Sequence, residues 1–179
     1  MLRLCLLLLA STLPALGQSD WRQTLRERLP LLGHRNWIVI ADSAYPLQTA
    51  PGILTVDTGS DHLDVVRAVL DALGQTKHVQ PTIYTDAELK YVAEKNAQGI
   101  TAYRDALNPF LGSRPVQVLP HEQIIAKLDE AGKTFSVLLL KTKLTLPYTS
   151  VFIQLECGYW TANAEAELRA AMKAPARGR

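Results

Sequence analysis

This chain predicts an α/β layered single domain, with a mostly parallel central sheet flanked by helices. Short apolar runs of strand length alternate with stretches whose apolar residues recur at helical spacing, from Trp21 to Leu155. Gly, Pro and Asp punctuate the junctions between them. A hydrophobic content of 47% over 179 residues is enough for one core.

Residues 1–17 read as a secretory signal outside the fold. Arg3 gives a positive start, Leu4 to Ala10 is apolar, and Pro14-Ala15-Leu16-Gly17 ends in small residues. Cleavage is expected near Gly17-Gln18. The apolar run is far short of the roughly 20 residues that span a bilayer. The mature protein is therefore expected to be secreted or periplasmic, with no membrane partner after signal removal. Cys5 leaves with the signal, and Cys157 alone cannot build an internal disulfide framework.

The domain then runs over residues 18–160. Trp21, Leu25 and Leu29 recur at helical spacing, and Pro30 and Gly33 close that helix. Trp37 to Ala41 is the first strand and Ile53 to Val56 the second. Leu63, Val66, Val69, Leu70 and Leu73 make an amphipathic helix that stops at Gly74. Val79 to Tyr84 is a third strand, which Pro81 places at an edge or a bulge. Asp86 is read as the cap of a helix from Ala87 to Gln98. Gly99 interrupts, a helical stretch follows from Ile100 to Leu107, and Asn108-Pro109 signals a loop. Val116 to Leu119 is a strand and Pro120 to Ala131 a helix closed by Gly132. Phe135 to Leu140 and Val151 to Leu155 are the last strands. Residues 161–179 form an Ala- and Glu-rich tail, expected to be helical and then disordered.

Several functions are disfavoured. The formal net charge of +2 and the lack of a basic stripe argue against a nucleic acid partner. No dinucleotide fingerprint, phosphate-binding loop or nucleophile elbow is present. His34, His62, His78 and His121 are scattered, none at metal-ligand spacing, so no metal is expected. Asp57-Thr58-Gly59-Ser60 looks like an aspartic protease segment. Such enzymes need two aspartates, and this chain has one copy, so that reading requires a homodimer. A helical pattern follows Ser60, where such a protease would continue in β-structure. The plainer reading is a strand-to-helix turn.

The candidate site begins in Gly33 to Pro46. Gly33 places His34 on a turn, and Asp42 sits where the strand Trp37 to Ala41 stops. A strand of five residues spans about 17 Å. His34 and Asp42 therefore lie near opposite ends of it. They share a pocket only if a loop curls back or a second chain joins them.

Gly33-His34, Asp42 and Pro46 resemble a pattern of the D-ribose pyranase and L-fucose mutarotase family. Leu63 to Leu70 is similar to that family's first long helix. Pro120-His121-Glu122 resembles the His-Glu pair opening a later helix, and Pro147-Tyr148-Thr149-Ser150 the closing segment before the last strand. The resemblance covers about Leu29 to Gly158. It implies cofactor-free interconversion of ring forms or anomers of a free monosaccharide, with His34 as proton donor and Tyr148 as a catalytic or relay group. It assigns sugar binding to Asp42, His121, Tyr148 and Ser150, and implies a homo-oligomer with sites at subunit borders. Histidine suits the task because its ordinary pKa, about 6.5, lies near working pH. Two departures stand out. Lys143-Leu144 replaces the family's Gly-Glu, and Ser150 replaces an Asn. They motivate an alternative, a non-catalytic monosaccharide-binding protein on the same fold.

Overall fold

The computed structural model describes residues 20–112 and 114–173. The segment read as a secretory signal, 1–17, and the last residues of the tail, 174–179, lie outside the described residues.

The strand β1 (Trp37–Ala41) lies inside the sheet, and all its residues are buried. Its uninterrupted apolar run follows from that, because both faces of the strand are covered. Ile38 and Ile40 pack toward α1 (Trp21–Arg28), α2 (His62–Gly74) and α3 (Ile100–Leu111). Trp37, Val39 and Ala41 pack toward α4 (His121–Gly132). This is the two-residue alternation of a strand dividing one run between two helical layers.

The other strands are β2 (Ile53–Asp57), β3 (Val79–Asp86), β4 (Val116–Leu119), β5 (Val137–Lys141) and β6 (Val151–Cys157). They form one sheet of six strands in the order β2-β5-β1-β6-β3-β4. Only β6 runs against its neighbours β1 and β3, and every other pairing is parallel. The predicted fold class therefore holds. Pro81 pairs with Leu155 of β6, in a stretch of β3 that precedes the pairing with β4. A missing N–H is tolerated where a strand has one neighbour.

The antiparallel β6 has a consequence for function. The strands β5 and β6 flank β1, and β5 ends where β6 begins. Residues 142–150 must therefore cross the carboxyl end of β1. Thr142 ties this crossing down, its Oγ1 donating to the Ala41 carbonyl at 2.8 Å.

Three local expectations are corrected. The helix expected over Ala87 to Gln98 is only a 3-10 turn, Ala87–Tyr91, followed by irregular chain. Side chains satisfy that backbone instead. Arg104 donates to the carbonyls of Leu89 and Val92, and the Glu94 carboxylate accepts from the N–H groups of Gly99 and Thr101. Asp86 stands before this turn but makes no capping bond to it. Pro109, expected in a loop, lies in the last turn of α3, where few helical bonds remain to be lost. The first helix gives way at Leu29–Leu31 to a 3-10 turn containing Pro30.

The last helix, α5 (Ala162–Lys173), buries no residue. Among the described residues, no helix is long and apolar enough to cross a membrane.

Candidate active site

Several chain segments meet at the carboxyl end of the sheet. There β1 delivers Asp42, β3 delivers Asp86, and β4 leads through Pro120 into His121 at the start of α4. The crossing 142–150 delivers Tyr148 and Ser150. Ligands of open α/β sheets bind at this end, because loops rather than strands line it.

A cavity of about 380 Å³ opens here, lined by Asp42, Tyr45, Gln48, His121, Glu122 and Tyr148 among others. That volume lies within the range of roughly 300–1,000 Å³ usual for small-molecule sites. A larger groove of about 680 Å³ runs between Arg67, Phe110 and Lys143 on the other face of the sheet. Another of about 480 Å³ lies around Trp37 and Phe135. The first of these also touches Asp61, Asp64, His62 and Tyr103, but its imidazole and phenol are buried and bonded to each other and to the Ile40 and Thr149 carbonyls. In the smallest cavity, His121 and Tyr148 keep exposed surface beside Asp42. That convergence of polar groups in a confined space, more than size, marks a site.

Each side chain is held. The Asp42 Oδ1 accepts from the Ala44 N–H at 2.8 Å, fixing the turn after β1. Its Oδ2 accepts from Ser150 Oγ at 3.4 Å. Ser150 is buried, so it braces the Asp42 carboxylate from behind. Tyr148 adopts φ +57°, a left-handed conformation unusual for a non-glycine residue. Its ring meets His121 edge-on, with centroids 5.7 Å apart. The next residue anchors that turn, since Tyr103 Oη donates to the Thr149 carbonyl at 2.9 Å.

His121 is gripped twice. Its backbone N–H donates to both carboxylate oxygens of Glu88, at 3.1 and 3.0 Å. Its Nδ1 lies 3.1 Å from Asp86 Oδ1. The Asp86 side chain is fully buried, and its Oδ2 has no partner among the described residues. Burial pushes the Asp86 carboxyl from 3.8 up to about 6, against the pull of His121 and with help from the Glu88 and Asp42 charges. Tyr45 is buried beside the site. Burial first, then the charges of Asp129, Asp86 and Asp42, raise its hydroxyl above the usual range, so it stays protonated.

No protein-family model matches the chain, and no curated protein matches it in sequence. Solved structures do match. The structure of RbsD from Bacillus subtilis complexed with D-ribose superposes with a TM-score of 0.51 at 21% identity, covering 81% of this chain and 96% of that one. The fucose mutarotase from Streptococcus pneumoniae in complex with L-fucose gives a TM-score of 0.50 at 16% identity, over 76% of this chain and 94% of that one. The chain has the pyranase–mutarotase fold.

On this fold, Asp42, His121 and Tyr148 line one cavity, and Ser150 bonds Asp42 from behind it. His34 does not join them within one chain. It sits at the amino end of β1, half-exposed, with Nδ1 2.8 Å from Glu156 Oε2. A strand's length separates it from the cavity. Leu144 packs against the core on the α2 side. Asp57 closes β2, accepts from the Gly59 N–H at 3.0 Å and leads directly into α2, the strand-to-helix turn.

Sequence reasoning missed two residues of the site. In the sequence, Asp86 reads as a helix cap and Glu88 as part of a helix. The available signal was the pair of strands ending together, since Asp86 and Leu119 are in register and His121 follows closely. His62, also missed, is buried, with Nε2 3.3 Å from the Ile40 carbonyl and Nδ1 3.2 Å from Tyr103 Oη. It braces the two segments that carry Asp42 and Thr149. Among the described residues, no three His, Cys, Asp or Glu side chains gather as a metal-ligand set.

Proposed function

We propose that this protein interconverts the ring forms or anomers of a free monosaccharide by general acid–base catalysis. The observation that carries the reading is the convergence of Asp42, His121 and Tyr148 on one small cavity at the carboxyl end of a pyranase–mutarotase fold. The solved relatives bind D-ribose and L-fucose.

The reaction opens a hemiacetal and recloses it. One group takes the proton of the anomeric hydroxyl while another protonates the ring oxygen, and reclosure returns both protons. The imidazole of His121 and the phenol of Tyr148 are adjacent and able to exchange protons with a sugar between them. Asp42 accepts from neighbouring sugar hydroxyls, with Ser150 holding its carboxylate in place. His34 acts as proton donor from a neighbouring copy in a homo-oligomer, with Glu156 orienting its ring. Positioned acid–base groups supply about 10² to 10⁴ in rate, which suffices for a reaction that already proceeds slowly in water.

The test is saturation-transfer NMR on a panel of pentoses and hexoses. Wild type is expected to speed ring-form exchange of at least one sugar. His121→Ala and His34→Ala are each expected to lose about 10²-fold or more. Equal exchange with and without protein across the panel overturns the reading.

Leu144 favours a second reading, monosaccharide binding without turnover, since the family carboxylate at that place is replaced by an apolar side chain. Calorimetric binding of a sugar at millimolar concentration without faster exchange supports it. Absence of any binding removes it as well.

A further inference from the structure

The parallel strands β3 and β4 end together, with Asp86 in register with Leu119. Pro120 then turns the chain directly into α4. His121 is thereby set beside the end of β3, and two carboxylates from that end take hold of it. Glu88 binds its backbone N–H and Asp86 its Nδ1. The two act differently. Glu88 satisfies one of the free N–H groups at the start of α4, which any helix start requires. Asp86 binds only the imidazole.

A purely structural role gives a poor account of Asp86. The side chain has no exposed surface, and one of its two oxygens finds no donor among the described residues. Leaving a buried carboxylate oxygen unpaired is costly. A neutral acceptor would hold the same ring at less expense. What a carboxylate adds is negative charge behind the imidazole, on the side away from the cavity. With Nδ1 engaged at Asp86, the nitrogen left for the cavity is Nε2.

We propose that Asp86 is a positioning residue, which holds His121 in the Nδ1–H tautomer and presents a basic Nε2 to the sugar. This rests on the proposed reaction for its purpose, but not for its geometry. As Nε2 takes the proton of the anomeric hydroxyl, the ring becomes an imidazolium. The proton on Nδ1 stays where it is, and the Asp86 carboxylate faces the new charge. When the hemiacetal recloses, Nε2 returns its proton and the ring is neutral again. The groups facing Asp86 are His121 from α4, Glu88 from the turn after β3, Asp42 and Tyr45 from the end of β1, and Tyr103 from α3. Only His121 among them is cationic in any accessible state.

The experiment is long-range 1H–15N correlation of the His121 ring in labelled full-length protein, read alongside sugar exchange. Wild type is expected to show Nδ1 protonated and Nε2 bare in the neutral ring. In Asp86→Ala the neutral ring is expected to move to the Nε2–H tautomer. Turnover should fall about 10- to 100-fold with KM little changed, as for other partners that orient a histidine. Asp86→Asn guards against a variant that fails to fold. Its amide carbonyl keeps the tautomer but removes the charge, so the ring should stay protonated on Nδ1 while turnover falls. A wild-type ring in the Nε2–H form overturns the proposal. So does an unmoved tautomer in Asp86→Ala, or a wild-type turnover in Asp86→Asn. Should wild type exchange no sugar, the proposed reaction fails while the ring spectra still decide the role of Asp86.

Discussion

Asp86 and His62 are both buried, and burial acts on them in opposite senses. The Asp86 carboxyl is raised from 3.8 to about 6, so its contribution to stability is full below pH 3.8 and is lost as pH rises through 6. His62 is lowered from 6.5 to about 4 by desolvation, so its contribution is full above pH 6.5 and is lost as pH falls through 4. The two oppose each other over the same interval. Asp86→Asn removes one of them. Its stability relative to wild type is expected to improve steadily from pH 4 to about 6, by roughly 3 kcal/mol at most, and to level off above. Urea midpoints measured at several pH values check this. A difference independent of pH would mean that Asp86 is ionised with ease. The polar groups of the site were only partly legible at this scale. Asp42, His121 and Tyr148 sit beside turn residues that mark them. Asp86 ends a strand whose run of apolar residues stops earlier, and a strand-end aspartate looks like a cap.

Elements meet the site through backbone contacts as well as side chains. The chain entering β2 passes so close to the end of α4 that a Cβ on Gly52 would lie 2.5 Å from the Gly132 carbonyl oxygen. Gly52→Ala is therefore expected to push β2 from α4 and cost about 1–3 kcal/mol in a urea melt. Gly74→Ala is the control. Nothing stands within 4 Å of its added methyl, and the helix C-terminus gains a better helix former. It should be neutral or slightly stabilising, and equal losses in the two variants would refute the close approach. Periodicity found β1 and α2 because burial dictates each of their positions. It misread Ala87 to Gln98, where Arg104 and Glu94 take the backbone bonds that a helix would have made. Local pattern carries no trace of a guanidinium arriving from another element.

At the scale of the whole molecule, the cavity and His34 lie at opposite ends of one strand. The proposed site therefore needs two copies, one for the cavity and another for His34. Mixed oligomers test this directly. His34→Ala and His121→Ala are each expected to be inactive alone. Reassembled together in equal amounts, about a quarter of the sites should combine an intact cavity with an intact His34. Recovery of that share of wild-type exchange supports a shared site, and no recovery excludes one.

The sequence by itself determined the layered α/β class, the strands that fill the middle of the sheet, and the side chains with the chemistry for proton transfer. Those follow from local pattern, because burial and turn geometry leave a mark on consecutive residues. Only the tertiary structure decided which of these side chains meet. Strand direction does this, and composition does not record direction. An antiparallel β6 draws Tyr148 and Ser150 over Asp42, and parallel β3 and β4 set Asp86 behind His121. The same geometry leaves His34 at the far end of β1, a strand's length from the cavity.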